Sequence, residues 1–224
     1  MYKHILASVV LAGSGLIAGM SSAFAAGWTL EKEDNGISAY TQFSQELGYN
    51  RVKLEMVVDA PVESLVSINT DADGLNQWME SFDEVEVVKQ DAWYDYVLYV
   101  TYDFPFPYQD RDSLSRTLVY KKDNGSVVVK FLLADEGKAQ SDDYIRMDYI
   151  DGAWEFIPLE NHQTKVVYTS LVSPGGEGPK WVINAFSLDV PFTSFENLRE
   201  KLKTYQPRNL SLDEVPMESD LSLN

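Results

Sequence analysis

The sequence predicts an α+β domain in which a meander of antiparallel strands is closed by one long C-terminal helix. Three observations predict it. From Trp28 to Ser173 the dominant hydrophobic period is two, as in Val52, Leu54, Met56 and Val58, which alternate with Arg51, Lys53 and Glu55. Asn35-Gly36 and Asn124-Gly125 fall between such runs, and Asn-Gly favours tight hairpins because both residues accept positive φ. From Pro179 to about Tyr205 the period changes: Trp181, Ala185, Leu188, Phe192, Phe195, Leu198 and Leu202 recur every three or four residues.

In order, strands are predicted over 28–33, 37–43, 51–58, 82–90, 94–103, 113–121, 126–131, 144–158 and 165–173, about nine in all. Asp151-Gly152 interrupts the eighth as either a hairpin turn or a glycine bulge. After the third strand, Asp59-Ala60-Pro61 followed by Val62, Leu65, Val66 and Ile68 starts a helical insert, with Pro in the first turn where its missing N–H costs nothing. Pro191 lies inside the last helix and is expected to kink it by freeing the Ser187 carbonyl. An antiparallel sheet buries one face, and the terminal helix is the element long and apolar enough to cover it. Residues 207–224 carry turn residues and acids without a period and are expected to form a loose tail.

Residues 1–25 have the composition of a secretory signal: Lys3 and His4, an apolar run from Ile5 to Met20, and Ala23-Phe24-Ala25 as the cleavage pattern. Periplasmic or secreted localisation is the expectation, and residues 26–206 form the working domain. The formal net charge is −17, so nucleic acid and long residence on an anionic membrane are disfavoured. The sequence contains no cysteine, which removes disulfides, thiol nucleophiles and thiolate metal sites. No cofactor is expected.

Few motifs point to catalysis. Past the leader there is one histidine, His162, in a turn expected to be exposed, and there is no Gly-x-Ser-x-Gly elbow or phosphate-binding glycine loop. Asn69-x-Asp71-x-Asp73-Gly74 with Glu80 imitates a calcium loop, but Asn69 and Asn76 stand where Asp and an apolar residue are usual, so a solvated helix–loop–helix is expected. Arg111 follows a loop of Pro and aromatics, Phe104 to Tyr108. If it points inward it requires a partner, and it either meets a ligand's polar group or pins the loop. Arg146 carries the same two readings.

In order and spacing, a set of residues resembles the START family of lipid-transfer domains within the helix-grip superfamily: Trp28, Gly36-Ile37, Asp59-Ala60-Pro61, Trp78, Pro107, Asp110-Arg111-Asp112, Arg146, Gly152-Ala153-Trp154, Pro158, Ser173-Pro174-Gly175-Gly176, Pro179-Lys180-Trp181 and Asn184. Ser173 departs from the family, which usually carries an acid there. The resemblance implies a curved sheet gripping the last helix around a lipid-sized cavity, a hydrophobic ligand held without chemistry, and a monomer in transient contact with membranes. The expected contacts are Tyr96, Leu98, Phe104, Phe106, Arg111, Arg146, Trp154, Trp181, Asn184, Ala185, Leu188, Phe192 and Phe195. A dozen buried methylenes would gain on the order of 10 kcal/mol relative to water, but a bilayer offers the same, so shape and a few polar contacts must decide. An enzyme of cyclase or hydrolase type on this scaffold would need an acid–base pair inside the cavity. A structural domain would have a filled interior.

Overall fold

In a computed structural model of the chain, residues 27–221 are described, apart from Pro105, Glu177 and Pro179 and the side chains of Lys180, Trp181, Val182 and Ala185. The leader expected at 1–25 lies outside the described residues. Ten strands make one sheet: β1 (Thr29–Asp34), β2 (Ile37–Phe43), β3 (Asn50–Val58), β4 (Phe82–Ala92), β5 (Asp95–Tyr102), β6 (Arg111–Lys121), β7 (Val127–Leu133), β8 (Ile145–Arg146), β9 (Tyr149–Pro158) and β10 (Thr164–Ser173). Their spatial order is β1-β2-β3-β10-β9-β7-β6-β5-β4, antiparallel throughout, with β8 parallel to the start of β6. The last strand therefore lies beside the third, which joins the two ends of the meander. Helix α1 (Val62–Asn69) and a 3-10 turn (Ala72–Gln77) fill the insert, and α2 (Lys180–Leu202) packs on β2 and β3. Among the described residues no helix is long and apolar enough to cross a membrane.

Alternation determines which side chains go inward. Val52, Leu54 and Met56 of β3, Trp154 and Phe156 of β9 and Val166 and Tyr168 of β10 join one core with Phe192, Phe195 and Leu198 of α2. The opposite face carries ion pairs. Asp151 bridges Arg51 (3.4 Å) and Lys130, Lys122 reaches Glu155 (3.0 Å), and Glu55 sits between Lys53 and Lys165 at 2.9 Å each. Burial works to raise the Glu55 carboxyl, but the two ammonium groups outweigh it and hold the group below its usual range.

At Asn35-Gly36 both residues have positive φ (51° and 72°), the hairpin expected of that dipeptide. Asn124-Gly125 turns differently: only Gly125 has positive φ, and Asn124 Oδ1 accepts from the Ser126 N–H (3.0 Å) and Oγ (2.8 Å). Asp151-Gly152 is neither hairpin nor bulge, since β9 pairs residue by residue with β10 across it. Glycine is needed there because a Cβ would lie 2.2 Å from the Phe131 ring and 2.8 Å from the Thr169 carbonyl. Helix α2 runs unbroken through Pro191.

The segment expected to be a loose tail is instead pinned. Val215 is buried, the Lys121 N–H donates to the Pro216 carbonyl (2.9 Å), and Arg208 donates to Ser67 O (3.1 Å) and Thr70 Oγ1 (2.6 Å) at the end of α1. These are isolated side-chain and backbone contacts, and they leave no periodic trace in sequence. The imitation of a calcium loop is likewise built into the fold rather than solvated along its length: Leu75 and Trp78 are buried, and Asp71 accepts from the Tyr205 hydroxyl (3.3 Å). Among the described residues no three metal-ligating side chains converge.

Candidate functional site

Between the concave face of the sheet, the α1 insert and α2 lies a cavity of about 160 Å³. One water occupies about 10–15 Å³ on this measure, so the space would hold on the order of ten waters and is far larger than a packing defect. The sheet contributes Leu98, Val100, Ser115, Thr117, Val129, Phe131, Trp154, Tyr168 and Ser170, all at inward positions of β5, β6, β7, β9 and β10. The insert contributes Asn69, Leu75, Met79 and Ser81, and α2 contributes Ile183, Phe186, Ser187, Val190, Pro191 and Ser194. Among the described residues the wall carries no Asp, Glu, His, Lys or Arg. Its side-chain polar groups are hydroxyls, the Asn69 amide and the Trp154 indole N–H. Burial pushes the Tyr168 hydroxyl up to about 12 and raises Tyr102 as well, so both stay neutral at any physiological pH.

Aromatic rings form the floor. Trp154 stacks on Phe195 (5.2 Å, 21° between planes) and meets Tyr168 (4.7 Å) and the edge of Trp78 (5.7 Å). On the helical side, hydrogen bonds from Ser187 Oγ to Ile183 O (2.7 Å) and Ser194 Oγ to Val190 O (2.9 Å) absorb the hydroxyls that face the space. Pro191 has no N–H to return to the Ser187 carbonyl, so the helix face turned to the cavity lacks one backbone bond.

The cavity adjoins a second, more polar hollow of about 450 Å³ bounded by Asn76, Gln77, Glu80, Asp103 and Asn197. Met79, Ser81, Phe82, Phe104, Phe186 and Val190 border both spaces and so form the boundary between them. Phe104 and Phe186 face each other at this boundary at 4.6 Å. Arg111 holds the first of these rings, its guanidinium lying 4.2 Å from the Phe104 centroid.

Of the contacts expected from sequence, Leu98, Phe104 and Trp154 line the cavity. Tyr96 is buried in the core without bordering the space, and Phe106 is a fully exposed loop tip. Arg111 is buried yet serves the loops: it donates to the carbonyls of Gln109, Pro174 (3.4 Å) and Gly175 (3.5 Å). Desolvation pulls its guanidinium below the ordinary value, with Asp110 and Tyr49 acting the other way. Asp112, the next residue in the strand, points to the opposite face and pairs with Arg146 through two bonds of 2.7 and 2.8 Å. Those hydrogen bonds raise the Arg146 guanidinium, which is fixed outside the cavity.

The described ones among the expected helix residues lie away from the cavity wall. Phe192 and Phe195 fill core, Leu188 packs against it, and Asn184 accepts the Asn50 N–H (3.1 Å). The expected side chains of Trp181 and Ala185 lie outside the described residues. The cavity face of α2 is instead Ile183, Phe186, Ser187, Val190 and Ser194, an equally regular set of threes and fours. The strongest apolar stripe marks the face against β2 and β3, and a cavity face diluted by serines is easily passed over. Asn69, Ser81 and Phe131 were also missed, although inward parity on β7 is a signal for Phe131.

A profile of the START domain matches residues 16–207. An uncharacterized protein of Pseudomonas aeruginosa is 30% identical over 206 residues, covering 88% of this chain and 96% of that one. Among solved structures, a STAR-related lipid transfer protein fragment from Xanthomonas axonopodis superimposes with a TM-score of 0.74 at 24% identity, covering 80% of this chain and 99% of the other. Human StAR-related lipid transfer protein 5 follows at 0.72 and 20%, covering 80% and 88%. An aromatase/cyclase from a Streptomyces species shares the fold more distantly, at 0.53 and 13%, covering 68% and 93%. The extent of the profile match, the full-length relative and the sheet gripping α2 agree: this chain belongs to the START domain family.

Proposed function

We propose that the protein holds an uncharged hydrophobic molecule, a lipid, sterol-like compound or isoprenoid, and carries or senses it without transforming it. The observation that carries this reading is a roomy cavity whose described wall is apolar and hydroxylic and carries no Asp, Glu, His, Lys or Arg. The fold supports a hydrophobic ligand-binding role, and an interior with space in it disfavours the filled structural domain. General acid–base catalysis needs a group that gains or loses a proton near the working pH, and the two wall tyrosines do not. Native mass spectrometry of the protein purified from its own cells, followed by solvent extraction, tests the reading. A stoichiometric hydrophobe, recovered unchanged after incubation, supports it. An empty protein that also ignores added lipids, or a ligand returned chemically altered, overturns it.

The Phe104–Phe186 contact serves as the gate of this carrier. Phe104→Ala is expected to speed ligand exchange by about tenfold, roughly the loss of one aromatic pair, while equilibrium occupancy changes less. Stopped-flow release to acceptor vesicles reads this, and unchanged exchange would place the passage elsewhere.

Beside the gate, Phe106 is 97% exposed. With a net charge of −17, contact with a membrane would rest on such apolar tips. Phe106→Asp should therefore slow transfer between neutral vesicles and leave ligand affinity in solution unchanged; equal transfer rates would exclude the tip. The working compartment of this carrier is the periplasm or the exterior, with residues 1–25 removed. N-terminal sequencing of the protein from the periplasmic fraction should begin at Ala26, and an intact Met1 there would refute cleavage.

A further inference from the structure

Two polar atoms of the cavity wall are buried without a hydrogen-bond partner, Asn69 Nδ2 and Ser81 Oγ. Buried polar groups are nearly always satisfied, and an unmet one is a cost that folding alone does not recover. Asn69 is 6% exposed and borders the inner cavity but not the outer hollow, which places it away from the mouth. Its backbone is held on both sides. Thr70 Oγ1 donates to Val66 O (2.8 Å), Arg208 reaches in from the C-terminal segment to Thr70 and Ser67, and Tyr205 OH meets Ser67 Oγ (3.0 Å). Asn69 therefore lines the cavity from a braced segment, and nothing in the fold takes its Nδ2 donor. Ser81 borders both spaces and has φ of +65°, a conformation uncommon for a non-glycine residue. Asp103 N–H to Ser81 O (3.0 Å) and Glu80 N–H to Ser194 Oγ (2.9 Å) hold the strained turn in place.

We propose that Asn69 is the specificity-determining contact of the cavity, donating from Nδ2 to one uncharged acceptor oxygen on an otherwise hydrocarbon ligand. The inference rests on the binding reading above and narrows it to neutral oxygenated hydrophobes: ketones, esters or alcohols. Ser81, at the mouth, meets a second polar group where one exists. A phosphate or carboxylate would enter a described wall without a cation, so charged headgroups are discriminated against. A pure hydrocarbon would leave the Asn69 donor unmet, the penalty by which a hydrogen-bonding site rejects an analogue that lacks the bond.

The test uses the cleaved full chain in direct competition between methyl tetradecyl ketone, hexadecane and palmitate, with occupancy read by native mass spectrometry. The ketone can only accept, matches hexadecane in length and isolates the donor. The wild type should favour the ketone over hexadecane by about tenfold or more, the ratio commanded by one buried hydrogen bond, and should bind palmitate more weakly than the ketone. Asn69→Leu, similar in size and without a donor, should bring the ketone-to-hexadecane ratio near one and keep hexadecane binding. Its Tm should be no lower than that of the wild type, because the unmet donor is gone. A wild-type ratio near one, or an Asn69→Leu protein that keeps the wild-type ratio, overturns this proposal while the carrier reading stands. Binding of none of the three defeats both. Asn69→Ala serves as the second variant, and if both unfold the amide supports the fold and the proposal fails.

Discussion

Replacing Ser115 by Phe is expected to lower ligand affinity by about a hundredfold or more, equivalent to about 2.7 kcal/mol, with the fold left as stable as before. Ser115 sits on β6 opposite Leu98 of β5 and Leu133 of β7, with its side chain on the cavity wall. In a filled core an added ring forces neighbours off their rotamers and costs about 1–3 kcal/mol. Here the ring enters space that is already open, replaces an isolated hydroxyl with apolar contact and takes the volume a ligand would use. Two measurements decide it: Tm of the ligand-free protein and affinity for a hydrophobic probe. A drop in Tm with probe binding retained would mean that Ser115 is packed and that the ligand sits elsewhere. Val129→Phe, from the neighbouring strand, should behave alike.

The largest loss of stability is expected from Asp112→Ala, about 3 kcal/mol, because removing one partner of a buried pair strands the other. The Asp112 side chain is fully buried and that of Arg146 is 19% exposed, which places the effect toward the lower end for such pairs. More than one bond is at stake. Arg146 also donates to the Lys138 carbonyl (3.4 Å), and Val97, Tyr99 and Leu114 on the outer face of β5 and β6 pack with Val88 and Ala134 beside that segment. Urea unfolding should show a lower midpoint, with hydrogen exchange raised first in residues 134–147. Asp112→Asn, which keeps one acceptor, should lose less. A midpoint equal to the wild type would mean that Arg146 re-solvates freely.

Much of this fold was legible because parity and burial are local. The alternation Val52, Leu54, Met56 gave β3 its inner face, Asn35-Gly36 gave its hairpin, and the threes and fours after Pro179 gave α2. The cavity was less legible, since a residue that fills core and one that borders empty space satisfy the same pattern. Phe195 and Phe186 are both apolar, three and four residues from other buried positions; only the tertiary arrangement puts the first under Trp154 and the second at the boundary of the two spaces. Arg111 and Arg146 each carried two readings in the sequence, a ligand's polar group or a structural pin, and the structure supports the pin for both. Their partners, the carbonyls of Pro174 and Gly175 for the first and Asp112 for the second, are contributed by side chains and backbone that spacing alone does not bring together. Asn69 was hidden inside a motif that resembled something else.

The ion pairs on the convex face acquire a further meaning beside a described cavity wall without charged side chains. Asp151 and Glu155 alternate along β9 with Gly152, Trp154 and Phe156, so strand parity alone keeps two carboxylates out of the cavity. Slipping β9 by one residue against β7 and β10 would exchange the two sets. It would carry both acids into the apolar space, strip Lys122 and Lys130 of their counter-ions and drive a side chain into the Phe131 ring where Gly152 now lies. The salt bridges outside thus act as an alignment key, because the slipped register would bury two unpaired carboxylates.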